Sequence, residues 1–200
     1  ADSVLVVGEM NNPEAGPGEV RVKLYASGVN PADVKRRGLG TYGLEHRRII
    51  PNSDGAGIID QVGEGVDPGL LGQRVWLFNG QRGGRAFGTA AEYITLDKGL
   101  VALLPDHLSF AEGACLGIPC MTAHRNVFAD GPVTGKTVLV TGGAGFIGGA
   151  VIRRLLRESN AIVFNLDKMG YASDLTSINE VIQELGVEYQ NRPQLHAINL

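Results

Sequence analysis

The run T-G-G-A-G-F-I-G at residues 141–148 limits what this chain can become more than any other feature. TVLVT precedes it, a short apolar run of strand type, and GAVIRRLLRESN follows with apolar residues at helical spacing. Glycines at such a strand-to-helix turn each have a task. Gly142 permits the tight turn, Gly145 lets the backbone approach a pyrophosphate, and Gly148 lets helix and strand pack closely. The helix begins at Phe146 and Ile147, where unpaired N–H groups and a partial positive charge favour an anion. Gly142, Gly145, Phe146, Ile147 and Gly148 are therefore the candidate phosphate cradle.

The residues that follow extend the same pattern. AIVFNLD is a second strand, and both it and TVLVT have the composition of strands buried on two faces. Phe146, Ile147, Ala150, Val151 and Leu155 fall on one helix face. SDLTSINEVIQELG supplies an Asp/Ser N-cap region, Ile178, Val181, Ile182 and Leu185 at helical spacing, and Gly186 as a stop. LHAINL has the make-up of a third strand. Residues 136–200 thus spell βαβαβ, one mononucleotide-binding half with parallel strand order 3-2-1. Asp167 ends the second strand, where a carboxylate can accept from both adenosine ribose hydroxyls and repel a 2′-phosphate. That favours NAD over NADP, with Lys168 beside it weakening the preference. The partner half would add strands beside the first strand, so 137–141 is an exposed apolar edge. Homodimerisation, aggregation or a rearranged β domain packed on that edge is expected.

The N-terminal part is of another kind. EVRVKLYASG, GAGIIDQVG, QRVWLFNG and AAEYITLD are short β-type runs separated by turn residues, which suggests a β barrel or sandwich. Twenty-nine glycines in the whole chain, against an average share of roughly 7 %, occur in many short turns rather than in one repeat. LSFAEGACLGIPCMTAHRNVFAD then has apolar positions at helical spacing and leads away from the β region. A boundary near Pro119 divides the chain into 1–118 and 119–200, and the fold class is mixed α/β.

Charge and cysteine use exclude several functions. The net charge of −3 comes without a basic run, so a nucleic-acid partner is not expected. No apolar run reaches the ~18 residues of a membrane span, and the start lacks the features of a signal peptide. A cytoplasmic protein is expected. Cys115 and Cys120 read as two core thiols, without the second ligand pair of a zinc site. The four histidines have no ligand spacing, although His124 stands two residues after Thr122.

Residues 4 to about 145 resemble the zinc-free quinone oxidoreductase branch of the medium-chain dehydrogenases/reductases, related to zeta-crystallin. The resemblance rests on PGEVRVKLYASGVNPADVKRRG, PNSDGAGIIDQVGEGV, GQRVW, TAAEY and LPDHLSFAEGACLGIPCMTAHRNV. It implies a GroES-like domain at the N-terminus, and hydride transfer from NAD or NADP to a quinone or other carbonyl compound. It also implies no metal, since Asn30 stands where zinc-dependent relatives carry a Cys. Asn30 and Tyr42 would face substrate and nicotinamide, with Thr122 near the nicotinamide. From the glycine loop onward, GGAGFIGGAVIRRLL and NLDKMGYASDLTSI look like an extended short-chain dehydrogenase of the dTDP-glucose 4,6-dehydratase type. That resemblance makes Asp167 and Lys168 contacts on the adenosine side. It departs from the usual pattern at Gly170 and Ser173. Two wordings meeting at one loop suggest an engineered or truncated chimera of impaired activity, with a rare natural recombinant or an incomplete chain as the other accounts. The rival expectations are a dinucleotide-binding module without catalysis, a nucleotide-sugar dehydratase fragment and a purely structural product of recombination.

Overall fold

The computed structural model describes residues 5–39, 46, 48–81, 85–170, 173–191 and 194–199. The chain divides into two compact units, Ala1–Ile118 and Pro119–Leu200.

In the first unit, β1 (Glu19–Gly28), β2 (Asp54–Val62), β3 (Arg74–Leu77), β4 (Tyr93–Asp97) and β5 (Val101–Leu103) form one antiparallel sheet in the order β4-β1-β2-β3-β5. Alternation along β1 sends Val20 and Val22 inward, where they meet Ile59, Val75, Leu77, Ile94 and Leu96. Each fully buried aliphatic side chain contributes roughly 1.5–3 kcal/mol. Two register shifts bend β1 against β2, between Arg21 and Val22 and between Leu24 and Ala26. Helix α1 (Pro31–Leu39) leaves the end of β1. Helix α2 (Phe110–Gly113) starts with a reciprocal cap between Ser109 and Glu112. A π turn, Leu116–Cys120, follows and contains Pro119. Cys115 and Cys120 are both exposed, so the expectation of core thiols is corrected. The side chains that this segment buries are instead the small Ala114 and the ring of Pro119.

The second unit holds α3 (Met121–Phe128), β6 (Thr137–Thr141), α4 (Phe146–Glu158), β7 (Ile162–Asp167), α5 (Thr176–Asn191) and β8 (Leu195–Asn199). The three strands are parallel in the order β6-β7-β8, with Val138 opposite Val163 and Phe164 opposite His196. Helices α4 and α5 pack against each other, and α3 packs on α4. Ile152, Leu155, Val163, Ile178 and Val181 make the centre of this core, with Ala123 and Val127 from α3.

Three expectations for this unit are corrected. TVLVT and AIVFNLD are buried on one face, not two: Val140, Val163 and Asn165 are covered, while Leu139 is 61 % exposed and Ile162 is exposed too. The open face carries the row Leu139, Phe164 and His196, the last two stacked with centroids 4.9 Å apart. Secondly, Phe146 and Ile147 do not share the buried face of Val151 and Leu155. They occupy the first turn of α4, beyond the reach of its core contacts, and are exposed. Thirdly, Gly186 kinks α5 at φ 50°, and helical residues resume as far as Asn191. No helix among the described residues is long and apolar enough to cross a membrane.

Candidate functional site

The glycine loop of the second unit takes its shape from the strand beneath it. Gly142 has φ 68°, a value costly for residues with a Cβ, and it turns the chain out of β6. A Cβ on Gly148 would overlap the carbonyl oxygen of Gly142, so the start of α4 can lie this close to the turn only as glycine. At Gly145 the nearest atom to an added Cβ is Gly142 O at 3.2 Å, which leaves the outer side of the loop open.

Two side chains of β7 brace the loop from below. Asn165 Oδ1 accepts from the Gly143 N–H at 3.0 Å, and Asp167 Oδ2 accepts from the Ala144 N–H at 2.8 Å. Both residues are buried and, two apart on one strand, face the same side. The other oxygen, Asp167 Oδ1, accepts from the Met169 N–H at 2.8 Å and from Ser173 Oγ at 3.3 Å. The Ala144 N–H first, and that of Met169 next, hold this carboxyl below the ordinary Asp range against the opposing effect of burial. The residue expected from sequence to contact a ribose fastens the loop. Lys168 beside it is exposed.

Helix α4 begins at Gly145 with no side-chain cap. The N–H groups of its first turn, at Phe146, Ile147 and Gly148, have no acceptor within the helix. An open loop, bare N–H groups and the positive end of a thirteen-residue helix suit the charge and size of a pyrophosphate. The residues present fit a dinucleotide.

The sequence-derived candidates outside this loop are distributed as follows. Asn30 lies in the first unit, 3 % exposed, between β1 and α1; its Nδ2 donates to Asp54 Oδ2 at 2.8 Å. Tyr42 lies outside the described residues. Thr122 is half-buried in the first turn of α3. His124 is exposed and packs its ring on Phe128, centroids 5.1 Å apart. The structure brings together Gly142, Gly145, Gly148 and Asp167 with Asn165, a residue the sequence reading missed. Asn165 has a legible signal, a polar residue in phase with Val163 and Asp167 on an otherwise apolar strand. Asp54 was missed as well, although it precedes the glycine-rich start of β2 in phase with the buried Ala56.

Residues 16–106 match the alcohol dehydrogenase GroES-like domain. Over 181 residues the chain is 34 % identical to the 2-methylene-furan-3-one reductase of Solanum lycopersicum, covering 88 % of this chain and 45 % of that protein. Over 133 residues it is 40 % identical to the quinone oxidoreductase of Rattus norvegicus, covering 65 % of this chain and 38 % of that one. The solved structure of an alcohol dehydrogenase superfamily protein from Novosphingobium aromaticivorans superposes with a TM-score of 0.77 at 29 % identity, over 97 % of this chain and 54 % of that one. The chain spans less than half the length of these two curated relatives. It has a GroES-like first unit and a Rossmann-like parallel sheet, and it resembles the medium-chain quinone oxidoreductases.

Proposed function

We propose that the glycine loop holds the pyrophosphate of a nicotinamide dinucleotide and that the chain serves zinc-independent reduction of a quinone or enone. The observation that carries this is the loop at residues 142–148, held open on its outer side by Asn165 and Asp167 and followed by the uncapped α4. The 40 % identity to a quinone oxidoreductase supports a quinone as the substrate class. A bound nicotinamide supplies the hydride. The work of this chain is to hold both partners and to answer the charge that develops on the acceptor oxygen. In this reading the N–H groups of Phe146, Ile147 and Gly148 bind the pyrophosphate. Asp167 and Lys168 meet the adenosine side, with NAD preferred to NADP. Thr122 lies near the nicotinamide, Asn30 orients the acceptor, and the Tyr42 hydroxyl donates to the forming enolate oxygen. No metal takes part, and the setting is cytoplasmic.

A second reading, binding without catalysis, is favoured by one observation: the parallel sheet has three strands among the described residues, and β6 pairs only with β7. In both readings the β6 edge is the surface for self-association. The short-chain wording after the loop would make the chain a join of two lineages. The 88 % of the chain aligned with the tomato reductase runs through that loop and supports a single lineage. Oxidation of NADH and NADPH, followed by absorbance with a quinone and with an enone, tests the proposal. Acceptor-dependent oxidation is expected, with NADH the better donor. Cofactor binding without acceptor-dependent oxidation would leave the binding module.

A further inference from the structure

The carboxyl group of Asp54, at the start of β2, is wholly buried in the first unit. Burial of an ionised carboxylate is costly unless each oxygen has donors. Only one oxygen has them. Oδ2 accepts from Asn30 Nδ2 at 2.8 Å and from the Ile118 N–H at 2.9 Å. Oδ1 is buried and has no hydrogen-bond partner among the described residues. Gly117 stands against it, and a Cβ there would overlap Oδ1, so the chain passes this oxygen without offering a donor.

Among the described residues the groups packed against Asp54 are the following, and none of them is a cation. Helix α1 contributes Asp33, which accepts from the Asn30 N–H at 2.8 Å and acts on Asp54 as a like charge. Strand β1 meets Asp54 with Gly28, and the loop bearing Thr89 donates a hydroxyl to its main-chain carbonyl at 2.7 Å. The turn Leu116–Cys120 carries one ionisable side chain, the exposed Cys120. Burial foremost, and Asp33 in addition, push the carboxyl up against the lowering effect of its two hydrogen bonds. A proton on Oδ1 removes the buried charge and keeps Oδ2 as the carbonyl acceptor that both donors need.

We infer that Asp54 is a positioning residue that works as a neutral acid, with Oδ1 protonated and Oδ2 fixing the Asn30 carboxamide and the backbone at Ile118. With its nitrogen committed to Asp54, Asn30 has a single orientation to offer a ligand. That consequence rests on the proposed role of Asn30, whereas the protonation and the anchoring do not.

The test compares the wild-type chain with Asp54→Asn and Asp54→Leu. Carbon-13 NMR of the Asp54 carboxyl, assigned through bonds in the wild type, reads its state without any variant. The carboxyl is expected to keep its neutral-acid shift to a pH above the ordinary Asp value of ~3.9. An acid with a raised folded value stabilises fully below its unfolded value and loses that contribution as pH rises toward the folded one. Relative to Asp54→Asn, the wild-type folded-to-unfolded ratio should therefore fall by up to about tenfold per pH unit above ~pH 4. The Asn30 side-chain amide protons should stay slowly exchanging in Asp54→Asn and lose that protection in Asp54→Leu. A carboxyl that titrates at or below the ordinary Asp value of ~3.9 overturns the inference, as does wild-type stability that rises relative to Asp54→Asn as the pH climbs above it. So does an Asn30 amide indifferent to Asp54→Leu. None of these readouts uses a cofactor, so failure of the redox proposal would be seen separately, as absent NADH oxidation.

Discussion

Asp167 closes β7 and Asp54 opens β2, both shielded from solvent, and the two units treat the same side chain in opposite ways. At Asp167 every oxygen is met by a chain donor, two of them backbone N–H groups, and the carboxylate is held ionised below the ordinary range. At Asp54 one oxygen takes two donors, the other takes none, and burial favours the neutral acid. The difference lies in the backbone nearby. A strand-to-helix turn exposes N–H groups that a carboxylate can gather, whereas the turn at Gly117 packs against Oδ1 without giving it a donor. Burial alone does not set the charge state of a carboxyl; the count of donors that reach it does.

The loop is most sensitive to substitution at its glycines. Gly148→Val forces a branched side chain onto the Gly142 carbonyl, an overpacking that should destabilise the second unit by ~1–3 kcal/mol and abolish dinucleotide binding. Urea unfolding with calorimetry checks both. Asn165→Leu should come next. It leaves the Gly143 N–H without its acceptor at a cost of ~1–3 kcal/mol, and it should weaken binding with the strand order intact. Hydrogen exchange at Gly143 reads the loss directly.

The pH dependence of the loop sharpens the contrast and has the opposite sign to that of Asp54. A carboxyl with a lowered folded value stabilises above its unfolded value, ~3.9 for Asp. That contribution disappears as pH falls through the folded value. Acid should therefore release the Ala144 N–H in the wild type, seen as faster exchange, and Asp167→Asn should flatten that response. The smallest effect is expected at the sheet edge. Leu139→Lys changes an exposed position and should alter stability by less than ~0.5 kcal/mol, while lowering self-association in sedimentation at several concentrations.

How much of this was legible in the sequence differs between the units for a physical reason. The glycine loop announces itself because three tasks in one turn demand glycine at fixed spacing between a strand and a helix. The β7 brace was partly legible: the alternation that buries Val163 also buries Asn165 and Asp167, yet an Asn inside an apolar strand attracts little notice. The exposure of Leu139, Phe146 and Ile147 was not legible, because apolar composition does not say which face receives a partner. The pairing of Asn30 with Asp54 joins positions 24 residues apart across two elements, and no local period records it.

Whether the braced loop of the second unit holds a dinucleotide is decided by titration calorimetry of NADH into the wild-type chain and Gly145→Val. An added Cβ at Gly145 meets only Gly142 O at 3.2 Å, and Gly145 has φ −89°, so the variant should fold while the side chain blocks the pyrophosphate. Saturable binding in the wild type and its loss in Gly145→Val are expected. No binding in the wild type, or undiminished affinity in Gly145→Val, would contradict the account.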